Sequence, residues 1–383
     1  VGRHWAISFG SIGYFNPYLP LWPKELGFST LAIGALSSVQ SLTRVCAPYG
    51  WGWVSDHTGH RVWLMRIAST TALACALGLL LVPRWVEPGF VFVAAVLFAM
   101  FMNTSAMMPM AEAAMAQMVT TRQGLDVKRY GRVRVWGSVA LIISVVVFGF
   151  WFDGDGMRGS AAGAVLMLAG PSLVCWRLPP SREPTHGGQA APSLAPVLAQ
   201  PAVRWFFVSM FFMVLAHVSL YAFFSLYLDS LGYSKRIVGF LWAVSVAVEI
   251  VWFLDQGRWL PRFSLGAWLV FACALAALRF CATAAFGASL AVLVVAQAVH
   301  AITFAAHHTV CIAFINQHFP GRLRGRGQAL YTMIGYGFSG LAGGVAGGAL
   351  SEAFGFASVF WAAGAMGFIA TLAAWRSAVL SRG

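Results

Sequence analysis

The stretch LGFSTLAIGAL, residues 26–36, returns as LGYSKRIVGFL at residues 231–241, with Gly27/Gly232, Ser29/Ser234, Gly34/Gly239 and Leu36/Leu241 in register. Each copy follows one long apolar run and opens the next. An internal repeat of this length, set wide apart in the chain, means two halves built to one plan. The rest of the sequence shows what those halves are made of. Of 383 residues 59% are hydrophobic and 10% charged, whereas a soluble domain keeps about a quarter of its residues charged. The mean hydropathy is +0.75, which makes this a membrane chain. Runs long enough to cross ~30 Å of hydrocarbon lie near 5–24, 31–54, 62–83, 88–118, 130–152, 158–178, 203–228, 236–256, 264–284, 288–317, 326–350 and 355–378. Twelve such runs predict an all-α polytopic fold of two pseudo-symmetric six-helix bundles. A β-barrel would instead show ~10-residue alternating segments.

The segment RLPPSREPTHGGQAAPSLAPVLAQP, residues 177–201, is rich in Pro, Gly and Ala and lacks apolar periodicity. It reads as a linker, so the expected organisation is an N-terminal bundle over 1–178, a cytoplasmic linker over 179–202 and a C-terminal bundle over 203–383. The opening residues show no cleavable leader pattern. Parallel repeats of this kind mark a two-bundle transporter with its site at the midplane.

The net charge of +13 could suggest nucleic acid, but its placement argues against that partner. With both termini cytoplasmic, sixteen Lys/Arg fall on cytoplasmic ends and loops, five on outer loops and four inside spans. That is the positive-inside pattern, and it predicts a multi-pass protein of a bacterial inner membrane with both termini inside. The six cysteines all fall within spans and form no CxxC pair. They read as small apolar core residues, and neither a metal nor a cofactor is expected.

Between the second and third spans stands GWVSDHTGHR, residues 52–61. Gly52, Asp56, Gly59 and Arg61 resemble the Gly-xxx-Asp-xx-Gly-x-Arg signature of the major facilitator superfamily, where this loop latches one conformation. Physically, Gly59 allows a tight turn, and Asp56 can cap a helix start or pair with an arginine. Only Asp255, Gly257 and Arg258 echo the pattern in the second half. Within the superfamily the chain is similar to the lactose permease branch, and more closely to the phenylpropionate permease group of proton symporters. YGRVRVWGS (130–138) resembles the start of their fifth helix. YLDSLGYSKRIVGFLWAVSVAVE (227–249) resembles the seventh and eighth, LRF (278–280) the arginine of the ninth, and VHAITFAAHH (299–308) the tenth.

Charges inside the spans carry the functional expectations. An ionised side chain at a helix centre costs about 2.5–3.5 kcal/mol, so such residues face a cavity and find partners. The candidates are Arg44, Glu112, Arg132, Arg134, Glu249 and Arg279, with His217, His300, His307 and His308. Arg132 and Arg134 point about 200° apart on a helix. Arg132 is read as snorkelling to the surface. Arg134 sits where the resemblance implies a substrate-binding arginine, and Glu112 resembles its partner acid. Glu249, Arg279 and His300 resemble the acid, arginine and histidine of the proton-coupling cluster. The chemistry is simple: a poorly hydrated carboxylate takes a proton, and an approaching arginine returns it. Proton coupling is therefore expected at Glu249, Arg279, His300 and Glu112, and substrate binding at Arg134, Glu112, His217, Tyr221, Tyr14, Tyr18 and His307. His307 is placed on nearly the same face as His300, with His308 pointing elsewhere.

Departures from the lactose permease pattern narrow the substrate. Its proton-carrying glutamate corresponds here to Thr303 and its sugar-stacking tryptophan to Leu141, which disfavours a galactoside. Cavity arginines and many aromatics suit a small aromatic carboxylate. The expectation is a monomeric secondary transporter, a proton-coupled symporter acting by alternating access, with small solute, protons and lipid as its partners. The competing readings are a drug or metabolite efflux antiporter, uptake of a sugar or nucleoside, and a membrane enzyme or receptor. No HExxH, GxSxG or other nucleophile–base constellation supports an enzyme. Two helix-packing features complete the reading. Gly343/Gly347 and Gly344/Gly348 stand at GxxxG spacing, and Pro17, Pro20 and Pro109 are positioned to kink helices.

Overall fold

The computed structural model describes residues 2–85, 89–121, 124–125, 127–178, 193–320 and 323–381. Helix lies over every expected span. In the first half the helices are α1 (Gly2–Phe15), α2 (Thr30–Thr58), α3 (Arg61–Trp85), α4 (Phe90–Val119), α5 (Val127–Asp155) and α6 (Ser160–Arg177). In the second they are α7 (Pro201–Ser230), α8 (Lys235–Trp259), α9 (Leu265–Ala285), α10 (Leu290–His318), α11 (324–354) and α12 (Phe356–Leu380). The described strands are a two-residue pair, Thr120–Thr121 with Gly124–Leu125, between α4 and α5.

Seven stretches among the described residues are apolar and long enough to cross a membrane, and the 43-residue one, Val135–Arg177, takes in both the α5 and α6 spans. With helices this apolar, the chain is a multi-pass membrane protein. Large side chains such as Leu254, Leu278, Phe354 and Val91 stand exposed on the helix surfaces. In water such a surface would aggregate, whereas in lipid it is the solvated face.

The repeat that opened the sequence is repeated in backbone geometry. Gly27 and Gly232 each hold φ at +82°, the left-handed region that glycine enters at little cost. Phe28 N–H donates to the Pro23 carbonyl at 3.0 Å, and Tyr233 N–H to the Leu228 carbonyl at 3.0 Å. Ser29 then accepts from Ala32 N–H at 3.3 Å, and Ser234 from Ile237 N–H at 3.4 Å. Each copy therefore stops one helix by a Schellman turn and starts the next with a serine cap.

Chain contacts divide the protein into two units, Val1–Gly188 with Ser234–Ala243, and Gln189–Tyr233 with Val244–Gly383. The grouping of the first turns of α8 with the first unit has a local cause. Asp153 accepts the Lys235 N–H at 3.0 Å and pairs with Arg236 at 2.6 Å. Behind this pair Tyr18 donates to the Val145 carbonyl at 2.5 Å. Gly239 leaves no room there for a side chain, since a Cβ would stand 2.5 Å from the Tyr18 hydroxyl. The expected linker, 179–202, lies mostly outside the described residues. Pro17 and Pro20 fall in the turn that ends α1, ahead of a short helix at Leu21–Glu25. Gly59 closes α2 with φ +67° and donates its N–H to the Ser55 carbonyl at 2.9 Å.

In the second unit the glycines of α11 permit close packing on α7. A Cβ on Gly343 would meet Leu215 and Val218 at 3.0 Å, and one on Gly347 would meet Phe223 at 2.5 Å. This close approach replaces the hydrophobic driving force that helices lack inside lipid.

Candidate functional site

Three helices of the second unit bring together the acid, arginine and histidine singled out by the sequence. Arg279, on α9, is 4% exposed. Its guanidinium donates to His300 Nδ1 at 2.8 Å, to Thr303 Oγ1 at 2.9 Å and to Gln297 Oε1 at 3.1 Å, all on α10. His300 Nε2 stands 3.0 Å from Glu249 Oε1, contributed by α8. Arg279 also lies against the Phe280 ring at 5.3 Å.

The hydrogen positions in this chain follow from its ends. Arginine has no acceptor, so His300 Nδ1 must accept, and the ring hydrogen sits on Nε2, aimed at Glu249. While the bridge holds, His300 is a neutral conductor between a cation and an acid. It can take up a proton only by releasing Arg279. The carboxylate of Glu249 is thus the group in this chain that can gain a proton with the geometry unchanged. Charge-assisted hydrogen bonds of this kind are roughly twice as strong as neutral ones, and three neutral acceptors disperse the arginine's charge.

Gln297 and Thr303 were not among the expected site residues. The signal that would have found them is spacing: Gln297, His300 and Thr303 follow one another every third residue in an apolar segment, and so share a helix face.

Beside this chain lies a small cavity whose wall includes His217, Tyr221, Phe304, His307, His308 and Tyr336. Each wall helix is interrupted there by a π-helical turn: Ser219–Phe223 in α7, Ala301–Ala306 in α10 and Thr332–Phe338 in α11. Single π turns inside α-helices often mark functional positions. They also change register. The sequence placed His308 away from His300, by counting 3.6 residues per turn. The wider π turn corrects that reading: His300 stacks on Phe304 at 5.0 Å, and Phe304 on His308 at 6.2 Å, so the three rings stack in succession. His308 Nδ1 lies 2.9 Å from the Tyr331 hydroxyl, which in turn is 3.4 Å from that of Tyr336.

The other expected residues fall as follows. His217 is buried, with Nδ1 2.9 Å from the Met213 carbonyl oxygen. Its ring stands 6.4 Å from that of Tyr221. His307 lines the cavity with its ring nitrogens near Cys311 Sγ. Tyr14 and Tyr18 belong to the packing of the first unit. Tyr14 has its hydroxyl 2.6 Å from the Ser160 carbonyl and 2.8 Å from Ser160 Oγ, and rests on Phe148 at 4.9 Å. Tyr18 holds the Val145 carbonyl. Glu112 lies on α4 and Arg134 on α5, and the side chains of both fall outside the described residues, as do those of Arg132, Gly52 and Asp56. Arg61 begins α3 and Arg44 lies within α2.

Comparison with known proteins agrees with this architecture. The chain is 26% identical to the probable 3-phenylpropionic acid transporter of Escherichia coli (strain K12) over 343 residues, covering 86% of this chain and 85% of that protein. It is 23% identical to the maltose permease of Geobacillus stearothermophilus over 355 residues, 92% of this chain and 88% of that one. Among solved structures, a mutant form of the nucleoside transporter NupG superposes with a TM-score of 0.82 at 18% identity, covering 98% of each chain. A bacterial homologue of the human lysosomal transporter Spinster gives 0.70 at 16% identity, covering 100% of this chain and 95% of that one. The model of the MFS_1 like family matches from residue 4 to residue 362, and with helices, repeat and relatives in agreement the chain belongs to that family of membrane transporters.

Proposed function

We propose that the protein is a proton-coupled symporter for a small aromatic carboxylate. The observation that carries this reading is the Arg279–His300–Glu249 chain, in which a buried neutral histidine joins a buried cation to a part-exposed acid. A carrier needs a group that binds a proton on one side and gives it up on the other. Glu249 has the chemistry for this: it can gain a proton without breaking the His300 bridge, and once neutral it no longer balances Arg279, which shifts the balance between conformations. The similarity to a probable 3-phenylpropionic acid transporter supports an aromatic acid as cargo. Arg134 is the proposed contact for the substrate carboxylate, with Glu112 as its partner, since a planar guanidinium suits a carboxylate. His217, Tyr221 and His307 would bind the rest of the solute. The two halves, 1–178 and 203–383, would alternate access, with Gly52, Asp56, Gly59 and Arg61 as the latch. The protein would act as a monomer in a bacterial cytoplasmic membrane, both termini inside.

The test is transport in proteoliposomes with 3-phenylpropionate as the probe. The wild type should accumulate it when the outside is acidified. Glu249→Gln should retain exchange of labelled for unlabelled substrate within about threefold of wild type, yet lose accumulation against a gradient. A wild type that moves no aromatic carboxylate, or a Glu249→Gln variant that still accumulates it, would overturn the assignment.

A further inference from the structure

Where α8 ends, two arginines converge on one tryptophan. The Arg262 guanidinium lies over the Trp259 ring at 4.3 Å and that of Arg258 at 5.9 Å. All three side chains are exposed. Two like charges held against one ring repel each other until an anion joins them. Asp255 is the acid nearest in the chain, but it accepts the Trp259 indole N–H instead. Among the described residues neither arginine has an ion-pair partner. The turn that carries them is well tied down. Leu260–Arg262 is a 3-10 turn, the Leu260 carbonyl accepts the Trp268 indole N–H at 3.1 Å, and Phe263 packs edge-on against Trp268 at 5.7 Å.

We infer that the end of α8 and the turn after it bind an anionic phospholipid, its phosphodiester held between Arg258 and Arg262 and its tails lying along the exposed face of α8. The surface beside the arginines points to lipid as the occupant. Val251, Leu254 and Arg258 follow one another at three- and four-residue spacing and so share one helix face, on which Val251 is 65% and Leu254 72% exposed. In a chain that spans the membrane such a face meets lipid tails. Arg258 stands about 6 Å further along the helix than Leu254, so the charge begins where the apolar stripe stops. The exposed Trp259 and Phe263 mark the same level, since aromatic side chains gather at the boundary between tails and headgroups. Guanidinium groups suit the phosphodiester, because their forked donors match its oxygens. A free phosphate meets the same donors but leaves the apolar stripe uncovered. A zwitterionic lipid brings its own ammonium towards the two arginines and loses part of the attraction. The site uses none of the side chains of the Arg279 chain, so it stands or falls separately from the transport reading.

Native mass spectrometry of the purified full-length protein in detergent tests this with phosphatidylglycerol and phosphatidylcholine of identical chains. The wild type should bind its first phosphatidylglycerol at least about tenfold more tightly than phosphatidylcholine, since each basic side chain at an anionic surface contributes about fivefold. Arg258→Gln/Arg262→Gln should bring the two affinities to within about twofold of each other. The control is Arg204→Gln/Arg376→Gln, which removes the same charge from two arginines that are also exposed, each next to an exposed tryptophan, Trp205 or Trp375, but with no second arginine in the same turn. It should keep the wild-type preference to within about twofold. All four side chains are exposed, so both variants should fold. Arg262→Gln alone, with an expected loss of about fivefold, takes the place of the double variant if that one yields no protein. Equal binding of the two lipids by the wild type overturns the site, as does a preference that survives Arg258→Gln/Arg262→Gln. An equal loss in the control also overturns it, because net charge rather than this pair then attracts the lipid. Displacement of phosphatidylglycerol by millimolar inorganic phosphate shows a free-anion site and overturns the lipid assignment.

Discussion

Replacing His300 by Phe should cost the second unit more than any ordinary core substitution of similar size. Phe keeps the ring and its stack on Phe304, which is parallel at 5.0 Å. It removes two hydrogen bonds at once, the one accepted from Arg279 at 2.8 Å and the one donated to Glu249 at 3.0 Å. Each has a chargeable partner, and such bonds contribute about 1.5–3 kcal/mol apiece. Their joint loss leaves the buried Arg279 with only Thr303 and Gln297 and the part-exposed Glu249 without His300, and by adding the two bonds predicts a destabilisation of about 3–5 kcal/mol. For a domain of this size that corresponds to a fall of roughly 6–20 °C in Tm. The scale matters, because neutral side-chain pairs between membrane helices average only about 0.6 kcal/mol. The assay is thermal unfolding in detergent followed by tryptophan fluorescence, with Phe304→Leu as the control. That control loses the stack but no hydrogen bond, and should cost about 1–2 kcal/mol. If His300→Phe loses less than about 1 kcal/mol, or no more than the control, His300 is not the bridge and the reasoning fails.

Two further predictions concern packing and turns. Gly347→Ala places a Cβ 2.5 Å from the Phe223 ring, whereas Gly343→Ala meets Leu215 and Val218 at 3.0 Å. The first should lower Tm by an amount equivalent to about 1–3 kcal/mol of overpacking and the second by clearly less; a reversed order would mean the α7–α11 approach is looser than described. Gly27→Ala and Gly232→Ala each put a side chain at φ +82° with open space around it. Each should therefore cost only the left-handed strain, about 1–2 kcal/mol, and the two should match. Unequal unfolding midpoints would show that the paired turns are not equivalent.

How much of this was legible beforehand differs by level. Membrane class, the positions of the helices and the paired turns follow from local chemistry. Span length needs only a count of apolar residues, and the Gly–Ser pair stops and starts a helix with partners three to five residues away. The acid, arginine and histidine were also visible, because a charge among apolar residues is conspicuous in one dimension. Resemblance supplied their grouping.

The finer features of the site were not legible. That His300 bridges Arg279 and Glu249, and is thereby held neutral on one side, depends on three helices meeting. Gln297 and Thr303 became partners of Arg279 only through that meeting. The stacking of His308 on Phe304, next to His300, came with a π turn, whose extra residue no 3.6-residue count anticipates. Tyr14 and Tyr18, readable as cavity aromatics, turned out to have their hydroxyls held by Ser160 and Val145, far away in sequence. By itself the sequence determined what lies in the membrane and which charged groups must find partners there, since both are decided by transfer from water to lipid. Tertiary structure alone decided which atom meets which, because hydrogen bonds act over about 3 Å and only the packing of distant segments brings donors and acceptors that close.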